Sequence, residues 1–337
     1  LEHVLVPYII RRFLHLIPTF LGATFLAFMI SQLVPGDFLT TLAFNNSVKP
    51  ETIDRMRDGF GLDDPWIVQY GKWMGNLLRG DLGYSFDSNQ PVVNLLRRPI
   101  QNSMILVVLS ILMLWAIAIP LGVYSAVRQY SVADQLISAI SYFGLAIPNF
   151  FFALVLILLI FTIRSWTRDA FGYEQLLFPV AKMTSTNHFD LSAWGRFWDI
   201  MWHAFIPAFV SATAGVAGFT RILRAQMLEF LQSDFIRTAR AKGLSERSVT
   251  YKHALRSAII PFVAGIGGLL PGLIGGVGLV EVVMAWPGIT PVLLRSIGRQ
   301  DIYVVLGFLT VSSLLLMIGN LISDLLLAVA DPRIRYS

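Results

Sequence analysis

Several apolar runs in this chain exceed the roughly 20 residues that a helix needs to cross the ~30 Å hydrocarbon core of a bilayer. They lie at about Phe13 to Val34, Met104 to Val127, Leu136 to Ile163, Ala258 to Val283 and Tyr303 to Ala330, with a shorter one from Ala204 to Thr220. Unpaired backbone groups are very costly in lipid, so runs of this length and continuity fold as membrane helices. Composition agrees: 55% of residues are hydrophobic and only 14% are charged. The expected fold is an all-α polytopic membrane protein with six transmembrane helices, its partner surface being the lipid bilayer.

The polar segments divide the chain. An N-terminal segment with the first helix spans 1–34, a polar segment with short surface helices spans 35–102, and a core of five further spans fills 103–337, including a basic loop at 228–257. The first apolar run is too long for a signal-peptide core and is read as an uncleaved membrane helix. The span from Leu136 to Ile163 carries Pro148 inside it, and the Ala204–Thr220 span is expected to continue as a helix through Arg221, Arg224 and Glu229. The fifth span is rich in glycine, from Gly265 to Gly278, which suits close helix contact. Arg11, Arg12, Arg128, the basic loop, Arg333 and Arg335 fall in short segments on one side, so both termini and that loop are expected in the cytoplasm.

The most organised polar stretch runs from Gln232 to Ser257, QSDFIRTARAKGLSERSVTYKHALRS. Asp234 suits the N-cap of a short helix that starts at Phe235, Gly243 a left-handed turn that ends it, and Ser245 the cap of a second helix that finishes before Pro261. Two turns of helix do not persist alone in water, so this one must pack against something. Ala239 and Ala241 would let another surface approach closely, and Arg237, Arg240 and Lys242 would pair with acidic groups. A plain basic loop held near anionic lipid gives the same composition.

Much chemistry is missing. There is no cysteine, no phosphate-binding G-x-x-x-x-G-K-[ST] loop and no H-E-x-x-H motif, and the histidines are scattered. The small positive charge needs no nucleic acid to explain it. The spans carry almost none of the ionisable groups that an ion-coupled secondary transporter needs, nor a convergent set for an integral-membrane enzyme. Glu281 and the turn Trp286-Pro287-Gly288 stand out beside the glycine-rich span in a re-entrant or surface loop, and no metal site is expected.

These residues carry a family resemblance. RTARAKGL at 237–244, His253 to Arg256, and Ile260 with Pro261 resemble the coupling-helix signature of the dipeptide/oligopeptide, or peptide/nickel-type, ABC importer permeases. Arg11-Arg12, Val34 to Asp37, Gly61 to Pro65, Gly80 to Gly83, Glu281 with Trp286 to Gly288, and Asp331 to Tyr336 match in order, and the long first loop resembles the first of the two permease subunits. Arg237 stands where the broad pattern has glutamate, His253 where it has isoleucine and Arg256 where it has proline. A contact scheme built on the acidic residue therefore does not transfer.

The resemblance implies a type I ABC importer permease fold in a bacterial or archaeal cytoplasmic membrane. It implies translocation of di- or oligopeptides or a similar small solute, with no catalysis and no cofactor in this chain. ATP and Mg would belong to two partner ATPase subunits, each receiving one coupling helix. A second homologous permease would complete the pathway, and an extracytoplasmic binding protein would deliver the solute. The docking surface would comprise Asp234, Phe235, Arg237, Thr238, Ala239, Arg240, Ala241, Lys242, Gly243 and Leu244, and Glu281, Trp286, Pro287 and Gly288 would form a gate or an extracytoplasmic loop.

Overall fold

In the computed structural model, residues 2–33, 51, 57, 61, 63–171, 178–260, 262–263 and 277–330 are described, with side chains between 14 and 326. The glycine-rich part of the fifth expected span, Pro261, Val34 to Asp37, Leu62 and Asp331 to Tyr336 lie outside the described residues. About four-fifths of the described residues are helical. In chain order come α1 (Glu2–Gln32), α2 (Trp66–Leu77), α3 (Val92–Val127), α4 (Val132–Ala146), α5 (Asn149–Phe171), α6 (Ala193–Leu231) and α7 (Asp234–Ala241). Then follow α8 (Glu246–Ser248), which opens into a wide π turn (Val249–Ala254), α9 (Leu255–Ala258), α10 (277–283), α11 (Ile289–Gly298) and α12 (Ile302–Ala330). Among the described residues, segments of α1, α3, α5, α6 and α12 are long and apolar enough to cross a membrane.

The chain forms two compact units, and among the described residues it passes from one to the other inside α3, between Pro287 and Gly288, and inside α12. In the first, Phe28 of α1 packs with Trp73 and Met74 of α2 and with Leu306 of α12, ringed by Tyr70 and Tyr303. Thr24 and Tyr70 share a hydrogen bond of 3.2 Å. A small antiparallel ribbon, β1 (Tyr84–Ser85) with β2 (Gln90–Pro91), is anchored by Asp301, whose carboxylate accepts from the Ser85 hydroxyl (2.6 Å) and the Asp87 amide (3.2 Å).

In the second unit α6 is the central element. Its 39 residues extend about 58 Å, roughly twice the bilayer core. Ser192 caps its first turn by accepting from the Gly195 amide (3.2 Å). The helix runs unbroken through Arg221, Arg224 and Glu229, as the sequence suggests, but it also begins well upstream of Ala204. The single span expected from Leu136 to Ile163 is instead two helices. Proline has no N–H to donate and pushes the residue before it out of the helical region; Ile147 is extended (φ −92°, ψ 124°) and α5 starts afresh after Pro148.

Candidate functional site

The turn from α6 into α7 is made by Ser233, in extended conformation (φ −71°, ψ 156°), with its hydroxyl donating back to the Phe230 carbonyl (2.5 Å). This corrects the expected cap. Asp234 is the first residue of the helix rather than its N-cap, and its exposed carboxylate sits in the first turn, where the helix dipole favours it.

At the other end Gly243 takes φ +77°; its amide donates to the Arg240 carbonyl (2.9 Å) and the Leu244 amide to that of Ala239 (3.3 Å). This pair of bonds is the Schellman ending that glycine favours. Ser245 then accepts from the Ser248 amide (3.4 Å) to start α8. Both expectations, the glycine stop and the serine cap, match the structure. The π turn at Val249–Ala254 had no sequence signal.

α7 is held by its apolar side. Ile236 is fully buried and Ala239 nearly so, in one cluster with Val123 and Ala126 of α3, Leu223 and Met227 of α6, and Val249, Ala254 and Ala258 beyond. Burying the isoleucine alone contributes about 2 kcal/mol. The structure therefore moves Ala239 from the outer face to the inner one: its small side chain lets α7 lie close to its own core. Ile236, which spacing from Ala239 (i, i+3) marks as the same face, is the residue that sequence reasoning passed over.

Phe235, Arg237, Thr238, Ala241, Lys242, Gly243 and Leu244 are exposed. Arg240 is partly committed within the loop. Its guanidinium forks onto Glu246 (2.8 and 3.2 Å) and reaches the Leu231 carbonyl at the end of α6 (3.4 Å). Those hydrogen bonds hold the Glu246 carboxyl below its ordinary value. Arg237 reaches Asp234 at only 3.4 Å with both side chains largely solvated, a pair of little energetic weight.

Next to this assembly lies a buried ion pair. Asp134, at the start of α4, accepts from Arg224 Nε (2.7 Å) and Nη2 (2.9 Å), from the Tyr130 amide (2.9 Å) and from the Ser125 hydroxyl. The Arg224 bonds, aided by Ser125 and Tyr130, hold its carboxyl far below the usual carboxylate range despite burial. Charge in a loop and charge on a helix end gave no sequence signal that these two residues meet across 90 positions.

The Glu281 region is separate from α7 in the chain. Glu281 is buried and accepts from the Ser103 hydroxyl. α10 ends with Ala285 at φ +50°, the Ala285 amide donating to the Val282 carbonyl (3.3 Å) and that of Trp286 to Glu281 (2.8 Å). Trp286 is buried among Leu106, Val107, Ala204, Ala208 and Val277. Pro287 is exposed, and Gly288 caps α11 in extended conformation. Part of the polar segment before α6 folds onto this turn: the Lys182 amide donates to the Met284 carbonyl (3.2 Å), and Phe178 stacks on Trp202 with ring centres 4.7 Å apart. Asp199 ties the same segment down by accepting from the Ser185 amide (3.1 Å) and pairing with His188 Nδ1 (2.6 Å).

Residues 118–336 match the family model described as "binding-protein-dependent transport system inner membrane component", and residues 5–104 match the model of its N-terminal part. The oligopeptide transport system permease protein AppB of Bacillus subtilis is 39% identical over 331 residues, 98% of this chain and 99% of that protein. The dipeptide transport system permease protein DppB of Alkalihalophilus pseudofirmus is 34% identical over 332 residues, 98% of this chain and 99% of that one. Its Escherichia coli K12 namesake is 34% identical over 334 residues, 98% of each chain.

Proposed function

The chain belongs to the binding-protein-dependent transport system inner membrane component family, and from that membership we propose that it is the permease subunit of an ATP-driven peptide importer, with the outer surface of α7 as the seat of an ATPase subunit. It is a multi-pass inner-membrane transport subunit. An ion-coupled carrier working alone is not supported: similarity to peptide transport system permeases extends along nearly the whole chain.

Six spans place both termini in the cytoplasm. A second homologous permease lies beside this one, two ATPase subunits bind ATP and Mg, and an extracytoplasmic binding protein delivers the peptide. Glu281 and Trp286 to Gly288 belong to the extracytoplasmic gate, where the buried positions of Glu281 and Trp286 suit a packing hinge better than a contact with solute.

The observation that carries the docking assignment is the two-sidedness of α7. Its apolar side is filled by Ile236 and Ala239 against the chain's own core, while Phe235, Arg237, Thr238, Ala241 and Lys242 face outward. A two-turn helix anchored in this way moves with the body behind it, so a push on its outer face is transmitted inward.

The test keeps the core intact and alters only the outer face. Arg237→Glu and Ala241→Trp are expected to leave the permease in the membrane, to release the ATPase subunits on purification, and to abolish ATP-dependent uptake of labelled short peptides. Normal ATPase co-purification and normal uptake in both variants would remove α7 as the docking surface.

A further inference from the structure

We infer that Asp134 and Arg224 are positioning residues that lock the α3–α4 turn to the stem of α7, so that displacement of α7 reaches α3 and α4 instead of being lost as local bending. The inference rests on the transport reading above, and it concerns residues outside the docking surface.

The first observation is the geometry of the pair. Arg224 presents two parallel N–H groups to the two oxygens of Asp134, at 2.7 and 2.9 Å. The same carboxylate holds the last turn of α3 through Ser125 and the connecting loop through the Tyr130 amide. One buried group thus ties α3, the loop, α4 and α6. A bidentate fork fixes the rotation and register of one element on another, which apolar contacts do not, because they slide at little cost.

The second observation is where the pair sits. Arg224 lies next to Leu223 and one turn from Met227, both members of the buried cluster that holds Ile236 and Ala239 of α7. Beyond it α4 is fastened to α6 by the Arg221 guanidinium over the Tyr142 ring (4.4 Å) and by Gly144 against Thr213 and Ala217, and the start of α5 by the Asn149 side-chain amide on the Ser211 carbonyl (3.3 Å). On the other flank Gly122 of α3 meets Leu223, and the Ser110 hydroxyl donates to the Ala208 carbonyl (3.0 Å). The pair closes this body at the end nearest α7. Among the described residues, this pair is the polar tie between the α3–α4 turn and the α7 stem.

The test uses the whole transporter in proteoliposomes with Asp134→Asn and Arg224→Lys, the second keeping the charge and losing the fork. Both are expected to keep ATPase co-purification and binding-protein-stimulated ATP hydrolysis within about twofold of the parent, while peptide taken up per ATP hydrolysed falls at least about fivefold, the low end for coupling of this kind. The chain has no cysteine, so a second readout is clean: spin labels at Val132→Cys and Gln232→Cys, both exposed. One narrow distance is expected in the resting and ATP-bound states of the parent, and a broadened one in Asp134→Asn. An unchanged uptake-to-ATP ratio, a proportional fall of both activities, or an unchanged distance distribution in Asp134→Asn overturns the inference. If the parent complex shows no ATP-dependent uptake, the transport reading fails, while the distance measurement still decides whether the pair locks the turn.

Discussion

At the scale of single residues, Asp134 carries the sharpest energetic prediction. Removing one partner of a buried, hydrogen-bonded ion pair typically costs 3–5 kcal/mol, and Arg224 keeps some contact with solvent, with 26% of its side chain exposed. Asp134→Asn is therefore expected to destabilise the chain by about 2–3 kcal/mol at neutral pH, read as a lower temperature of thermal unfolding in detergent. The pH dependence has a definite sign. The folded carboxyl is depressed below its unfolded value, so its stabilisation is complete above about pH 5 and is lost progressively as the pH falls from there through the folded value. The gap between parent and variant should be constant from about pH 5 to 8 and narrow only in strong acid. A gap that closed between pH 5 and 7 would contradict the assignment. Neither residue was singled out by the sequence, because a lone acid after a turn and a lone arginine on a helix end are common, and only the fold brings them together.

At the scale of the element, α7 shows both what local sequence encodes and where it stops. Its end was legible in Gly243, because a left-handed residue there is a local backbone requirement. A Cβ at this position would meet nothing within 4 Å, so Gly243→Ala costs only conformational strain, roughly 1 kcal/mol, while Gly243→Val costs more. Faster hydrogen exchange at the Leu244 amide, with Asn substituting better than Ala, is the expected outcome; equal protection in all three would mean that the turn is not held by the glycine. The helix start was misplaced by one residue. Ser233 and Asp234 are both good capping residues; Ser233 takes the boundary position by its extended backbone, while its hydroxyl bonds back to Phe230 and caps no amide of α7. The face of the helix was misread for Ala239 because a small residue has no preference of its own between a partner and its own core. At Pro148 the sequence carried the break in plain form, yet the apolar run across it gave one span instead of α4 and α5.

At the scale of the whole molecule, the prediction concerns orientation. Lys242→Cys and Asn187→Cys place single thiols at exposed positions of a cysteine-free chain. A membrane-impermeant maleimide should label Asn187→Cys in intact spheroplasts and Lys242→Cys only in inverted vesicles. Labelling of both from the same side would reverse or remove the proposed topology. The polar segment before α6 also belongs to this scale. From composition it was only aromatic and mixed in charge, whereas the structure packs Phe178 with Val280 and Met284, bonds Lys182 to Met284, and ties Ser185 and His188 to Asp199 of α6.

The class of the protein, the positions of most spans, the basic helix with its glycine stop, and the family were all legible along the chain, because hydrophobic run length, backbone conformation and motif order are properties of neighbouring residues. Tertiary structure alone decided which side of α7 is spent on the chain's own core, that Asp134 finds Arg224, and that Glu281 and Trp286 are buried. Each of those outcomes depends on burial and on partners far along the chain, and neither is written into the local order of residues.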